Sequence, residues 1–170
     1  MNFQNIPTWT GDGFHVVVEC PRGSTVKLKY DPELGVVVWG RPLVMGLSYP
    51  CDWGFIPGTR GQDGDPLDAM ILWEGATFPG VVVPCRALAA VRVEQDSEDH
   101  SRRVRNDRII AVPLNAHRSP ATVSQRQRDE LGAFFQHVTD FEDKRATVLG
   151  WEEAAAATAL IRESPSKARG

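Results

Sequence analysis

The spacing of apolar residues changes period once along this chain, and that single change limits the folds open to it. Up to residue 113 the apolar residues come in short, β-branched runs separated by glycine, proline and aspartate; from Thr122 onward the spacing is helical. Residues 14–20 read as a strand buried for most of its length, with Glu19 an odd guest near its end. Val26-Lys27-Leu28-Lys29-Tyr30 alternates apolar with basic, as a half-buried strand does. Turns are expected at 21–24 and 31–35, and 36–39 is a short strand that delivers Arg41. Residues 49–58 form an aromatic-rich, proline-bounded loop and strand, whose rings at 49, 53 and 55 are equally suited to capping a barrel end. Residues 80–93 supply one or two strands, 94–105 an exposed hairpin tip dense in both charges, and 107–113 a returning strand. Leu131, Phe134, Phe135 and Val138 then fall at i, i+3, i+4 and i+7, so a helix lays one apolar stripe on the strands. Thr122 and Gln125 have the spacing of its capping box. Residues 151–162 read as a second, alanine-rich helix with Glu152 and Glu153 in the first turn, and 164–170 as a frayed tail. Strands first and helices last specify an α+β domain over residues 1–170, a small Greek-key-like barrel flanked by two C-terminal helices.

Composition narrows the function classes. A formal charge of −3 gives no general attraction to nucleic acid or to an anionic membrane. No apolar run approaches the span of a bilayer, and the N-terminus lacks the basic and apolar regions of a signal peptide. Cys20, Cys51 and Cys85 are odd in number and form no C-x-x-C pair, which argues for a reduced cytoplasm over a disulfide framework. His15, His100, His117 and His137 have no ligand spacing and are expected to be structural or surface residues.

The unusual stretch is Gly61-Gln62-Asp63-Gly64-Asp65-Pro66-Leu67-Asp68, which leads directly into an apolar run. Three carboxylates this close repel one another, and a divalent cation reverses that cost. All-oxygen ligands suit magnesium, manganese or calcium and not zinc or copper. An EF-hand is excluded, because proline and leucine occupy the places of its later ligands. For an isolated D-G-D, a solvated turn before a strand is the plain alternative.

D-G-D-P-L-D resembles the signature of the soluble, magnesium-dependent inorganic pyrophosphatases with an OB-like barrel, and the resemblance runs from about residue 14 to 151. Val16-Val17-Val18-Glu19 resembles the family's first active-site strand, and Tyr49-Pro50-Cys51, Arg108-Ile109-Ile110-Ala111-Val112-Pro113 and Gly150-Trp151 follow in the family's order. The resemblance implies a five-stranded OB-like barrel, hydrolysis of inorganic diphosphate, and magnesium as cofactor with manganese as the alternative. It implies a homo-oligomer as well, a hexamer in bacterial members. Residue by residue, it implies metal ligation by Asp63, Asp68 and Glu19, with Asp68 as a bridge, and proton acceptance by Asp65. Lys27, Arg41 and Arg108 would clamp phosphate, and Tyr49 would donate its hydroxyl.

The chain also departs from the family pattern. Lys29 stands where a glutamate is usual, and Trp53 where a tyrosine is usual. Val138 and Thr139 replace a phosphate-binding Tyr-Lys pair, for which Lys144 or Arg145 would be the substitutes. Of two hairpin aspartates that bind metal in the family, the nearer aligns with Asn106, next to Asp107, and the farther with Asp96, or more weakly with Glu94, so Asp107 and Asp96 are the candidate metal ligands there. These departures predict weaker metal binding or turnover than in a typical member. They also motivate two rival readings: a non-enzymatic relative that binds phosphate or a protein, and an OB-fold nucleic-acid binder using Trp39, Trp53 and Phe55, which the acidic charge disfavours.

Overall fold

The computed structural model describes residues 2–97, 99–116, 119–140, 142 and 145–164. Its elements run in the order of a short 3-10 turn (Phe3–Asn5), β1 (Trp9–Thr10), β2 (Gly13–Cys20), β3 (Val26–Asp31), β4 (Val36–Pro42), β5 (Asp52–Phe55), β6 (Asp68–Ile71), β7 (Val82–Asp96), β8 (Arg103–Arg105), β9 (Arg108–Pro113), α1 (Gln125–His137), β10 (Thr147–Glu153) and α2 (Ala154–Glu163).

The β-branched runs close on themselves. β2 pairs with β5, β5 with β6, β6 with β9, β9 with β7, and β7 returns to β2, so five strands form a ring of ladders in which only β6–β9 is parallel. Closure leaves no free edge within the ring, which is how a small all-strand core avoids edge pairing. β7 makes this possible: its 15 residues serve β2, β9, β10 and β8 in turn, and a bulge between Ala87 and Ala89 lets it bend. β5 approaches β2 so closely that a Cβ on Gly54 would lie 1.9 Å from the Val17 carbonyl oxygen, so only glycine fits there. β3 and β4 form a separate hairpin that packs beside β2.

Alternation along the ring strands splits their side chains between two cores. Met70, Val91 and Ile110 face the apolar stripe of α1, where Leu131, Phe134, Phe135 and Val138 are all buried. Ala69, Ile71, Ile109 and Ala111 face the other way, onto Phe14, Val16 and the α2 residues Ala157 and Ile161. Each large side chain withdrawn from water in this way contributes about 2 kcal/mol.

The α+β architecture, the five-strand ring and the two helices match the expectation, and several boundaries move. The capping box belongs to Ser124 and Gln127, not Thr122 and Gln125: the Ser124 hydroxyl accepts from the Gln127 N–H, and the Gln127 side chain accepts from the Ser124 N–H. The second helix starts at Ala154, not at 151, because residues 147–153 are taken up as strand β10 by the open side of β7. Glu152 and Glu153 therefore lie in that strand and pair with Arg92 and Arg128. Residues 82–96 are a single strand, β4 runs on to include Arg41, and the hairpin tip shrinks to 97–102. His117, Lys144 and the tail from 165 to 170 lie outside the described residues.

Candidate active site

A cleft of about 1610 Å³ opens beside the ring, bordered by β3, the loop into β6, the β7–β8 tip and the chain just after α1. Glu19, Lys27, Tyr49, Trp53, Asp63, Asp65, Asp68, Asp96 and Arg108 all line it. Of the remaining candidates, Arg41 is not part of the wall and reaches the cleft through Glu142, while Asp107 is held apart.

The acidic wall is built by strand ends. Asp68 opens β6 and lies level with Phe55 on β5 and Arg108 on β9. A register shift between Val18 and Cys20 sets Glu19 aside from the β2–β5 ladder, and its Oε1 accepts the Tyr30 N–H at 2.6 Å. Asp63 and Asp65 stand on a tight loop that turns at Gly64, whose φ of 92° favours glycine, and Asp63 Oδ1 accepts the Asp65 N–H at 3.2 Å. Burial pushes the Glu19 carboxyl up to about 7 against the pull of that Tyr30 N–H, and the nearby Asp68 raises it further. Burial likewise raises Asp68 to about 6, with Arg108 opposing and Asp63 adding to the rise. Asp63 is raised by burial too, partly offset by its bond from the Asp65 N–H. Three acids thus hold their protons more tightly than usual in the absence of a cation.

This donor set fits a hard divalent ion. It is all oxygen and crowded with negative charge. Among the described residues no group of three His, Cys, Asp or Glu side chains is arranged to hold a metal by itself. Magnesium, which keeps several waters and takes one or two carboxylates together with substrate phosphate, suits such an open arrangement better than an ion needing a closed cage.

The cationic wall faces it. Lys27 and Arg41 are cross-strand neighbours on β3 and β4, and both turn to one carboxylate, Glu142. Arg108 is buried, with its guanidinium over the rings of Trp53 and Phe135 at 5.4 and 5.3 Å. Its Nη1 donates to the Asn106 carbonyl at 2.7 Å, and its Nε has no hydrogen-bond partner among the described residues. Leaving such a buried donor unmet costs about 1–3 kcal/mol. Tyr49 is buried against Trp53 and Phe134, and burial raises its hydroxyl, which shares a hydrogen bond with Cys20.

The doubtful second acidic cluster divides. Asp96 is on the cleft wall but engaged: its oxygens accept from Arg103 Nη1 at 2.9 Å and the Arg145 N–H at 3.0 Å. Asp107 is taken by Arg105 and the Val93 N–H, and Glu94 by Arg103. Asn106, Val138 and Thr139 line the cleft, and Lys29 reaches Asp65 at 3.3 Å. Glu142 and the buried Gln95 are wall residues that the sequence does not flag. His15, His100 and His137 do not line it.

Carboxylates face cations across one open cleft beside a closed ring of strands, the layout of a site suited to a phosphate-bearing anion. The family model described as inorganic pyrophosphatase matches residues 16–169, and the chain belongs to that family. The inorganic pyrophosphatase of Halobacterium salinarum is 36% identical over 159 residues, covering 90% of this chain and 86% of that protein. Among solved structures, the inorganic pyrophosphatase of Thermus thermophilus superposes with a TM-score of 0.87 at 31% identity, covering 96% of this chain and 97% of its own. That of Coxiella burnetii gives 0.83 at 33% identity, covering 94% and 97%.

Proposed function

We propose that this chain, working as one domain over residues 1–170, hydrolyses inorganic diphosphate: water adds across the P–O–P bridge and two orthophosphates leave. The observation that carries this reading is the convergence of Asp63, Asp65 and Asp68 with Lys27 and Arg108 on one cleft. Family membership supports it. Phosphoryl transfer of this kind depends on position and electrostatics more than on covalent chemistry by the protein. Arg108, Lys27 and Arg41 would bind and orient the phosphates, with Tyr49 and Trp53 forming the floor on which they are held. Asp63, Asp68 and Glu19 would hold magnesium, or manganese in its place, and Asp96 joins them only if Arg103 releases it. Such an ion polarises phosphate oxygens and acidifies a coordinated water. Asp65, with its side chain 63% exposed, would take the proton of the attacking water. Colorimetric phosphate release with magnesium tests the reading. Wild type should turn over, and Asp65→Asn should lose about 10²–10⁴ of the rate, the usual contribution of a general base. No release from folded wild type would overturn it and leave a phosphate-binding protein.

The three free, buried cysteines suit a reducing cytoplasm. No helix among the described residues is long and apolar enough to cross a membrane. Exposed Trp39, Met45 and Phe78 support self-association, for which a hexamer is the number common in bacterial members; light scattering on a sizing column measures it.

A further inference from the structure

Glu142 gathers two of the cations expected to hold phosphate. Its Oε1 accepts from Lys27 Nζ at 3.1 Å and from Arg41 through both Nε and Nη2. The carboxylate is recessed, with its side chain 18% exposed. The Lys29–Asp65 pair is different, with side chains 61% and 63% exposed in open solvent. Burial works against charge on Glu142, yet Lys27 and Arg41 hold its carboxyl below the usual carboxylate range, so it is an anion whenever the cleft is at work.

Arg41 has no nitrogen to spare in this arrangement. Nη1 donates to the Pro42 carbonyl, Nη2 to the Val138 carbonyl, and Nε to Glu142. A phosphate that takes the paired Nε and Nη2 edge of the guanidinium, the two-pronged geometry that suits it best, must displace an acceptor. The two carbonyls are fixed in the backbone, whereas a glutamate side chain swings away by rotamer change. Glu142 is the replaceable partner, and it is also the acceptor of Lys27.

We propose that Glu142 is an internal competitor for the phosphate clamp, its carboxylate holding the place on Lys27 and Arg41 that a phosphate group of diphosphate, or the orthophosphate product, takes over. The proposal rests on the reading of this cleft as a diphosphate site. It makes Glu142 a determinant of affinity: the residue raises the concentration of substrate needed and helps expel product. A residue that only positioned the two cations would act with the opposite sign, since losing it would loosen the clamp and weaken binding.

Calorimetric binding of orthophosphate and of imidodiphosphate, an uncleavable diphosphate, separates the two roles in the presence of magnesium. Glu142→Gln keeps the shape and one acceptor oxygen but removes the competing charge. It should bind both anions about tenfold more tightly, the order expected for deleting a like charge next to a bound phosphate. KM for diphosphate should fall with no rise in kcat, and Glu142→Asp, which keeps the charge, should stay near wild type. Glu142→Ser supplies a second neutral variant should the glutamine protein melt early. Equal or weaker binding by the folded neutral variants, while Lys27→Met loses affinity, overturns the proposal and leaves the diphosphatase reading in place. Binding and turnover unchanged in Lys27→Met would show that the clamp is not the phosphate site and would overturn the proposal, whereas no phosphate release from folded wild type would overturn the diphosphatase reading on which it rests.

Discussion

Burial and mutual repulsion raise Glu19 to about 7 and Asp68 to about 6, and this shapes the protein before any substrate arrives. A carboxyl raised in the folded state holds its proton more tightly folded than unfolded. Its stabilising contribution is complete in acid and is lost as pH climbs through those values. Metal-free protein is expected to lose a few kcal/mol, roughly 1.4 for each tenfold rise in proton affinity, between about pH 4 and about pH 7, a loss that saturating magnesium removes by favouring the ionised carboxylates. Urea unfolding with and without a chelator measures it, and parallel pH curves would refute it. Asn106 poses a related question. It lines the cleft where a family aspartate is usual, and Asp107 beside it is spent on Arg105. Asn106→Asp adds a charge to the acidic wall and should lower the half-saturating magnesium in the phosphate-release assay by about tenfold. The Lys29–Asp65 pair, exposed on both sides, is worth at most about 1 kcal/mol and does not tie down the proposed base.

At the scale of elements, fully buried Asp52 at the head of β5 is the main fastening. Its two oxygens accept from the Arg22 N–H at 2.8 Å, Trp73 Nε1 at 2.8 Å and the Thr77 N–H at 3.1 Å. One carboxylate therefore pins both the turn into β3, which carries Lys27, and the loop after β6. Asp52→Ala strands these donors and should cost about 3 kcal/mol in urea unfolding, with KM for diphosphate raised as β3 loosens. The sequence showed β5 and its neighbours because short apolar runs between turns are local signals. It hid β10, because a bulge between Val148 and Gly150 leaves Leu149 without a register partner and breaks the alternation, while the alanines after 153 pull the pattern toward helix. The site divides by the same rule. Asp63, Asp65 and Asp68 were legible because six residues contain them. Glu142 was not, because Lys27 and Arg41 lie 115 and 101 residues away, and only the folded hairpin brings them together.

For the molecule as a whole, the cleft is where distant parts of the chain meet. The β3–β4 hairpin supplies Lys27, the loop into β6 supplies Asp63 and Asp65, the ring supplies Asp68 and Arg108, and the chain after α1 supplies Glu142. A ligand that spans them adds to the direct Lys27–Glu142 and Lys29–Asp65 contacts between these segments, and unfolding any one of them forfeits its binding energy. Ligand stabilisation should therefore appear as a shift of the whole cooperative transition, not as protection of one loop. With imidodiphosphate and magnesium at about a hundred times the dissociation constant, mass action adds about 2.7 kcal/mol. For a domain of this length that corresponds to a rise in Tm of about 5–10 °C. Magnesium alone engages only the acidic wall and should give a smaller shift. Lys27→Met, which weakens the opposite wall, should remove most of the increment due to imidodiphosphate while keeping the magnesium increment. Scanning calorimetry reads all three, and equal shifts in wild type and Lys27→Met would mean that the phosphates are held without the β3–β4 hairpin.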